Sequence, residues 1–223
     1  MDGFISLDWR TALLGMCAVQ MTAISIALLA RRPSKPADTA LAATLLSLTG
    51  VLVPYIIGYA GLYDRWRWLT FLPVAVPLAV GPLLWGYVHA RLRATLPTRF
   101  KTHLIPAAAQ ASYSAVAFAL PTSTKWAWYT GAHGNLVAPA LDVAGLASFM
   151  AYGAAIVRLL GSADHAQDGF AANERRWLTR IVAVLAVAAV VTGIYDVWGL
   201  TFGSIAPAAQ TWQYLLLAAA ALF

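Results

Sequence analysis

The chain has 223 residues, of which 61% are hydrophobic and only 11% are charged, and its mean hydropathy is +0.69. A soluble domain carries about 25% charged residues, so this composition excludes an ordinary water-soluble protein and indicates a protein of the lipid bilayer. The net charge of +6 is then expected to mark basic loops rather than a nucleic-acid surface, and the single cysteine excludes a disulfide within the chain.

Seven apolar segments follow one another, and each is predicted to be a membrane-spanning helix. A helix rises 1.5 Å per residue, so about 20 residues cross the roughly 30 Å of hydrocarbon. The segments cover residues 11–30, 39–61, 69–88, 103–120, 136–160, 177–200 and 208–223. The predicted fold is an all-α, polytopic seven-helix bundle. Because the seventh segment is short for a span and still apolar at Phe223, we expect the native chain to continue beyond it.

The third segment is predicted to be the centre of the bundle. It carries Pro73, Pro77 and Pro82, each of which removes a backbone donor and disturbs the preceding turn. In lipid, a carbonyl group freed in this way needs a partner on a neighbouring helix, a hydroxyl or a trapped water. We therefore expect a kinked, buried helix that bends near Gly81 and Pro82.

Basic residues alternate from one connection to the next. Eleven of the fifteen lie in the first, third and fifth connections or at the adjoining helix ends: Arg31, Arg32, Lys35, Arg91, Arg93, Arg99, Lys101, Arg158, Arg175, Arg176 and Arg180. The other four lie on the opposite side: Arg10, Arg65, Arg67 and Lys125. Cytoplasmic loops carry the excess of Lys and Arg, so this bias predicts an external N-terminus and a cytoplasmic C-terminus.

Tryptophan also favours one side of the predicted membrane. Seven of the nine lie on the outer side: Trp9, Trp66, Trp68, Trp126, Trp128, Trp198 and Trp212. Aromatic belts usually mark both interfaces, so the one-sided excess suggests a binding vestibule as well as an anchor. An ordinary interfacial belt is the alternative interpretation.

Two carboxylates within apolar segments, Asp142 and Asp196, are the candidate centre of that vestibule. A charge inside a bilayer costs a few kcal/mol, so we expect both to face a cavity lined by the third, fifth and sixth helices. The full set of candidate ligand-binding residues is Asp142, Asp196, Tyr195, Trp198, His133, Trp126, Trp128, Tyr129 and Tyr59. Alternatively, the helix macrodipole favours Asp142 near a helix N-terminus, and Asp196 pairs with Arg65, Arg67 or a tyrosine.

The expected ligand is a small molecule with a cationic group or an amphiphile with a polar head. Aromatic rings supply apolar area and cation–π attraction, and no lysine or arginine is predicted within the outer half of the helices. No catalytic residue is proposed, because neither a Ser/His/Asp or paired-Asp constellation nor an HExxH motif is present. The four histidines form no i,i+4 pair and no cluster with cysteine, so neither a metal site nor a cofactor is predicted.

Three stretches resemble a known family. They are FLPVAVPLAVGPLLWGYVHA at residues 71–90, HLIPA at residues 103–107 and NERRWLTRI at residues 173–181. In order and spacing over essentially all 223 residues, the chain resembles the N-terminal multi-helix membrane domain of bacterial transcription regulators with an AraC-type helix-turn-helix domain. The chain departs from the family in lacking the DNA-binding domain that would follow residue 223. The family's ligands are mostly unassigned, so no binding residue is transferred.

The resemblance implies a single sensor domain over residues 1–223 in the bacterial inner membrane. Its partners would be an unidentified ligand, the lipid bilayer, a second copy in a homodimer, and DNA only through the C-terminal domain outside this chain. Three other interpretations stay open: a small transporter or channel-like protein complete as given, the sensor bundle of a histidine kinase, and a small membrane enzyme.

Overall fold

The computed structural model describes residues 8–162, 176–180, 183, 187, 190, 191 and 194. All regular secondary structure in this part of the chain is helical. The helices are α1 (Trp9–Ala30), α2 (Pro36–Tyr59), α3 (Leu62–Arg65), α4 (Pro77–Arg93), α5 (Phe100–His103), α6 (Ile105–Ala119), α7 (Thr122–Trp128) and α8 (Ala138–Ser162). A 3₁₀ turn covers Arg67–Leu69, a π-helical segment covers Tyr129–Val137, and residues 176–180 are also helical.

Three helical stretches are long and apolar enough to cross a bilayer, which indicates a membrane protein. They are Trp9–Ala30, Pro36–Tyr59 and the continuous stretch Thr122–Gly161. Large apolar side chains such as Met16 and Val19 point outward and are each 70% exposed, as lipid-facing residues would be. The first, second and fifth predicted segments therefore coincide with observed helices. The seventh predicted segment and most of the sixth lie outside the described residues.

Helices α1 and α2 form an antiparallel pair. At one end, the guanidinium of Arg31 lies 4.0 Å from the carboxylate of Asp38, in the first turn of α2. At the other end, the guanidinium of Arg10 lies 5.8 Å from the ring centre of Tyr59. The two helices share a core with α4, in which Leu14 and Leu52 are among the fully buried side chains.

The prediction of one long helix over residues 69–88 is wrong. After the 3₁₀ turn the backbone is not helical until Pro77, and α4 has 17 residues. Proline disfavours helical geometry in the residue before it, and Val76 accordingly adopts φ −128° and ψ 71°. Pro77 occupies the start of the helix, where its missing N–H costs nothing. Two of the three prolines thus delay the helix rather than kink it, and only Pro82 lies inside.

Helix α4 is nevertheless the centre of the described bundle, as predicted. It packs against α2 and α8, and most of its residues from Leu78 to Ala90 are buried. It runs parallel to α8: Pro77 lies beside Gly145, and Gly81 lies beside Tyr152. A Cβ added to Gly81 would lie 3.0 Å from Cδ2 of Tyr152, so the missing side chain permits this close approach. The expected bend at Gly81 and Pro82 stays a prediction.

The fourth predicted segment, residues 103–120, corresponds to α6, and Leu104 separates it from the short helix α5. The buried side chain of Gln110 in α6 reaches the start of α4, where its Oε1 accepts a hydrogen bond of 3.2 Å from the N–H of Leu78. The first N–H groups of a helix have no partner within the helix, so Gln110 satisfies one of them from 32 residues away. This contact fixes the N-terminal end of α4 against α6.

Candidate functional site

Six aromatic rings meet where the non-helical residues before α4 approach α6, α7 and the π-helical segment. This His133 cluster consists of Phe71, Tyr113, Trp126, Trp128, Tyr129 and His133. The charge bias of the sequence predicts the outer side of the membrane for this cluster, and this location stays a prediction. It brings together residues from connections that are far apart in the sequence.

A directed pair of hydrogen bonds holds the cluster. The indole N–H of Trp128 donates to the Tyr113 hydroxyl oxygen at 2.8 Å. The same hydroxyl lies 2.8 Å from Nδ1 of His133. The indole nitrogen can only donate, so the Tyr113 oxygen accepts from Trp128. Its bond to Nδ1 of His133 has a direction set by the imidazole tautomer, because a hydroxyl both donates and accepts.

The rings around His133 are arranged in favourable aromatic geometries. Phe71 meets the imidazole edge-to-face with ring centres 4.6 Å apart, while Tyr113 and Tyr129 each stack on it at 5.9 Å. Trp126 extends the stack, its ring centre 5.7 Å from that of Tyr129. Such pairs contribute about 0.5–1.5 kcal/mol each beyond the area that they bury. Trp128 and Tyr129 remain 38% and 43% exposed, so the cluster presents ring surface to its surroundings.

The backbone around the cluster is unusual in two places. Phe71 has a φ of 64°, a left-handed conformation that is rare and costly for a bulky residue. The π-helical segment Tyr129–Val137 contains a break at Gly131, with φ −101° and ψ −115°. Wide helical turns and strained backbone both occur preferentially at functional sites. Both lie where Phe71 and His133 make their edge-to-face contact.

Two cations lie beside the rings. The guanidinium carbon of Arg67 is 5.0 Å from the ring centre of Trp126. Lys125 is only 3% exposed; its Nζ donates to the Trp68 carbonyl oxygen at 3.0 Å and lies 4.4 Å from the ring centre of Phe118. The sequence placed Lys125 in a loop, whereas it lies in α7. Positive charge therefore lies within a helix at this end of the bundle, and the expected cationic or amphipathic ligand stays a prediction.

The connection after α2 also approaches the cluster. Burial raises the pKa of Tyr63, in α3, to about 12, and the nearby Tyr129 adds to the rise. The Tyr63 hydroxyl is therefore protonated throughout the physiological range and can donate a hydrogen bond.

Four of the nine predicted site residues come together in the His133 cluster: Trp126, Trp128, Tyr129 and His133. Tyr59 instead ends α2 and contacts Arg10 and the core shared by α1 and α2. Asp142 is exposed in the second turn of α8. The remaining three, Tyr195, Asp196 and Trp198, lie outside the described residues. The predicted approach of the two carboxylates therefore stays a prediction.

A cavity of about 250 Å³ lies between α4 and α8, deeper in the bundle. Its walls include Leu84, Phe149 and Ile156, and Asp142 is not among the lining residues. At its edge, the Tyr152 hydroxyl lies 2.8 Å from Nδ1 of His103. The oxygen–nitrogen distance in this second histidine–tyrosine pair equals that in the His133 cluster, so the two pairs form a matched set.

No protein-family model, no curated protein and no solved structure matches this chain. The resemblance to the membrane domain of AraC-type regulators therefore stays a prediction.

Sequence reasoning missed Phe71 and Tyr113. A helical stripe could have drawn attention to Tyr113, because Ala107, Gln110 and Ala117 are buried at helical spacing and Tyr113 falls on the same face. No sequence signal indicated Phe71. Its position depends on the late start of α4 at Pro77, which leaves Phe71 outside the helix.

Proposed function

We propose that this chain is the non-enzymatic, membrane-embedded sensor domain of a bacterial transcription regulator, and that it binds an amphipathic molecule at the His133 cluster. In this proposal seven helices span the inner membrane, with the N-terminus outside and the C-terminus in the cytoplasm. The output is an AraC-type helix-turn-helix domain beyond residue 223. The single observation that carries the ligand-binding part is the His133 cluster itself.

The cluster has the features of a site for an amphiphile. Ligand sites combine apolar and aromatic walls with a few polar groups that orient the ligand. Here Trp128 and Tyr129 offer partly exposed ring surface, and Tyr113, His133 and Arg67 offer polar atoms beside it. Arg67 and Lys125 favour a polar head that is neutral or anionic over one that is cationic.

Helix α8 provides a route from the site to the cytoplasm. It begins at Ala138, directly after the segment that carries Tyr129 and His133, and its 25 residues extend about 38 Å. Along that length it packs against α4, and near its other end Leu160 shares a core with Leu178. Ligand binding that straightens or unwinds the π-helical segment would shift or rotate α8 as a rigid element. Such a two-state segment is what signal transmission requires.

The proposed output also implies self-association. Helix-turn-helix regulators commonly read two half-sites as dimers, so the membrane domain should permit a homodimer. Reading the coding frame beyond codon 223 separates this function from its alternatives. A helix-turn-helix pattern supports the proposal, a kinase domain would favour a histidine-kinase sensor, and a nearby stop codon would favour a transporter or channel-like protein.

Ligand titration with a matched variant tests the site. The full chain in phosphatidylcholine nanodiscs is titrated with decanoate, decanol and decyltrimethylammonium, which share a chain length and differ in head-group charge. We expect saturable changes in tryptophan fluorescence with decanoate or decanol, and weaker ones with the cation. Tyr113→Phe removes the hydroxyl that orders His133 and Trp128, so it should weaken the binding affinity measured by this titration about tenfold.

Tyr152→Phe is the control, because it removes the hydroxyl of the other histidine–tyrosine pair. It should leave the titration unchanged. Equal responses in the Tyr113→Phe and wild-type chains, or equal losses in both variants, would contradict a ligand site at the His133 cluster.

A further inference from the structure

A second cavity, of about 550 Å³, lies at the opposite end of the bundle from the His133 cluster. It forms where α1 and α4 end, where α2 begins and where the helical residues 176–180 lie. Its lining consists of Leu28, Arg31, Asp38, Leu41, Tyr87, Arg91, Trp177, Leu178 and Arg180. Cavities of this size hold small ligands or single lipid head groups.

The cavity has an apolar floor. Leu28, Tyr87 and Leu178 are all buried, at 8%, 5% and 1% exposure, and Tyr87 and Leu178 belong to the core that joins α2, α4 and α8. These side chains are held by the core of the bundle. The floor is therefore preformed rather than created by loop closure.

The rim of the cavity is basic. It carries the three arginines Arg31, Arg91 and Arg180, whereas Asp38 is the one acidic residue among the described residues of the lining. Asp38 lies 4.0 Å from Arg31, so its charge is partly balanced by that arginine, and the described residues of the lining keep a positive excess. Guanidinium groups bind phosphate oxygens in a planar, two-pronged geometry.

We propose that this arginine cavity binds a phosphate group that carries an apolar chain, as in an anionic phospholipid. The basic rim receives the phosphate, and the apolar floor receives the first carbons of the chain. Basic pockets between the cytoplasmic ends of membrane helices are suited to anionic head groups. The proposal requires only that the chain lies in a membrane, so it holds whether the protein is a sensor or a transporter.

Quenching of Trp177 by brominated lipids tests the site, because Trp177 lines the cavity. The full chain in dodecyl maltoside is titrated with phosphatidylglycerol or phosphatidylcholine that carries brominated acyl chains. The signal is the difference between the wild-type chain and Trp177→Phe, which removes the contribution of the other tryptophans. We expect saturable quenching by the anionic lipid and little by the zwitterionic one.

Charge variants give effects of opposite sign. Arg91→Gln or Arg180→Gln should weaken phosphatidylglycerol binding about fivefold, and the double variant about thirtyfold. Asp38→Asn should strengthen binding, because it removes a negative charge from the lining. Arg91→Lys keeps the charge and should retain most of the affinity, which excludes misfolding as the cause of a loss at this position.

Arg32→Gln is the matched control, since Arg32 is exposed beside Arg31 and does not line the cavity. It should leave binding unchanged. Equal quenching by both lipids, or an equal loss in Arg32→Gln and Arg91→Gln, would overturn the proposal. Competition identifies the source of the phosphate: displacement of the lipid by millimolar inorganic phosphate supports a free phosphate as the ligand, and its absence supports the lipid.

Discussion

Gly50 is the point at which α2 allows the turn residues before α4 to approach. A Cβ added there would overlap the carbonyl oxygen of Val74 and would lie 2.9 Å from its carbonyl carbon. Both atoms belong to the backbone, so no side-chain rotation relieves the overlap. Overpacking of this kind costs about 3 kcal/mol at the upper end of its usual range. Gly50→Ala should therefore destabilise the bundle by that amount relative to a glycine with open space.

Gly153 in α8 supplies the comparison, because nothing lies within 4 Å of a Cβ added there. Gly153→Ala gains the same intrinsic helix propensity of about 1 kcal/mol as Gly50→Ala, so this contribution cancels between the two variants. Their free energies of unfolding should then differ by about 3 kcal/mol.

Cys17 reports this difference, because it is the single cysteine, is 5% exposed and packs in the core that contains Leu52. When the bundle opens and recloses faster than a thiol-reactive dye attacks Cys17, the labelling rate is proportional to the fraction of molecules that are open. A gap of about 3 kcal/mol makes Gly50→Ala label roughly a hundredfold faster than Gly153→Ala. Equal labelling rates would refute the close approach of Val74 to α2.

Two further predictions concern helix starts. Gln110→Leu leaves the buried N–H of Leu78 without its partner and should cost about 1–3 kcal/mol, measured by the same Cys17 labelling, while Ser112→Leu on the exposed face should cost little. The N–H of Thr11 donates to the carboxylate of Asp8 and holds the pKa of that carboxyl below its ordinary value. The charged Asp8 therefore stabilises the folded chain above about pH 4, and this stabilisation is lost as the pH falls through the lowered pKa. Asp8→Ala should cost about 1 kcal/mol at neutral pH, whereas Asp8→Asn should keep the cap and lose this acid-dependent component; equal stability of the two variants at neutral pH would contradict the capping role.

The fold was predictable where hydrophobicity alone sets the structure. Uninterrupted apolar runs of sufficient length gave α1, α2 and α8, because a backbone in lipid must satisfy its own hydrogen bonds. The sequence was a poorer guide at α4, where two prolines prevent the first turns from forming and leave a helix of only 17 residues. Hydropathy does not reveal the late start of α4, because the non-helical residues before Pro77 are as apolar as the helix.

The candidate site was predictable only in part. The one-sided excess of aromatic residues drew attention to Trp126, Trp128 and Tyr129, which lie near His133 because residues close in sequence stay close in space; their role in a ligand site stays a prediction. It could not indicate Tyr113, whose hydroxyl joins two of them across a tertiary contact. The arginine cavity was missed because the charge bias was interpreted only as topology, although its residues converge where separate helices end.

We propose that the chain spans the membrane with the His133 cluster on the outer side and the arginine cavity on the cytoplasmic side. Cysteine labelling in intact cells, in a Cys17→Ala background, tests this topology. Ser123→Cys, exposed near the cluster, should react with a membrane-impermeant maleimide, and Ser34→Cys, exposed near the cavity, should react only after the cells are permeabilised. Labelling of Ser34→Cys alone in intact cells would contradict the topology, and labelling of both residues would contradict their placement on opposite sides of the membrane.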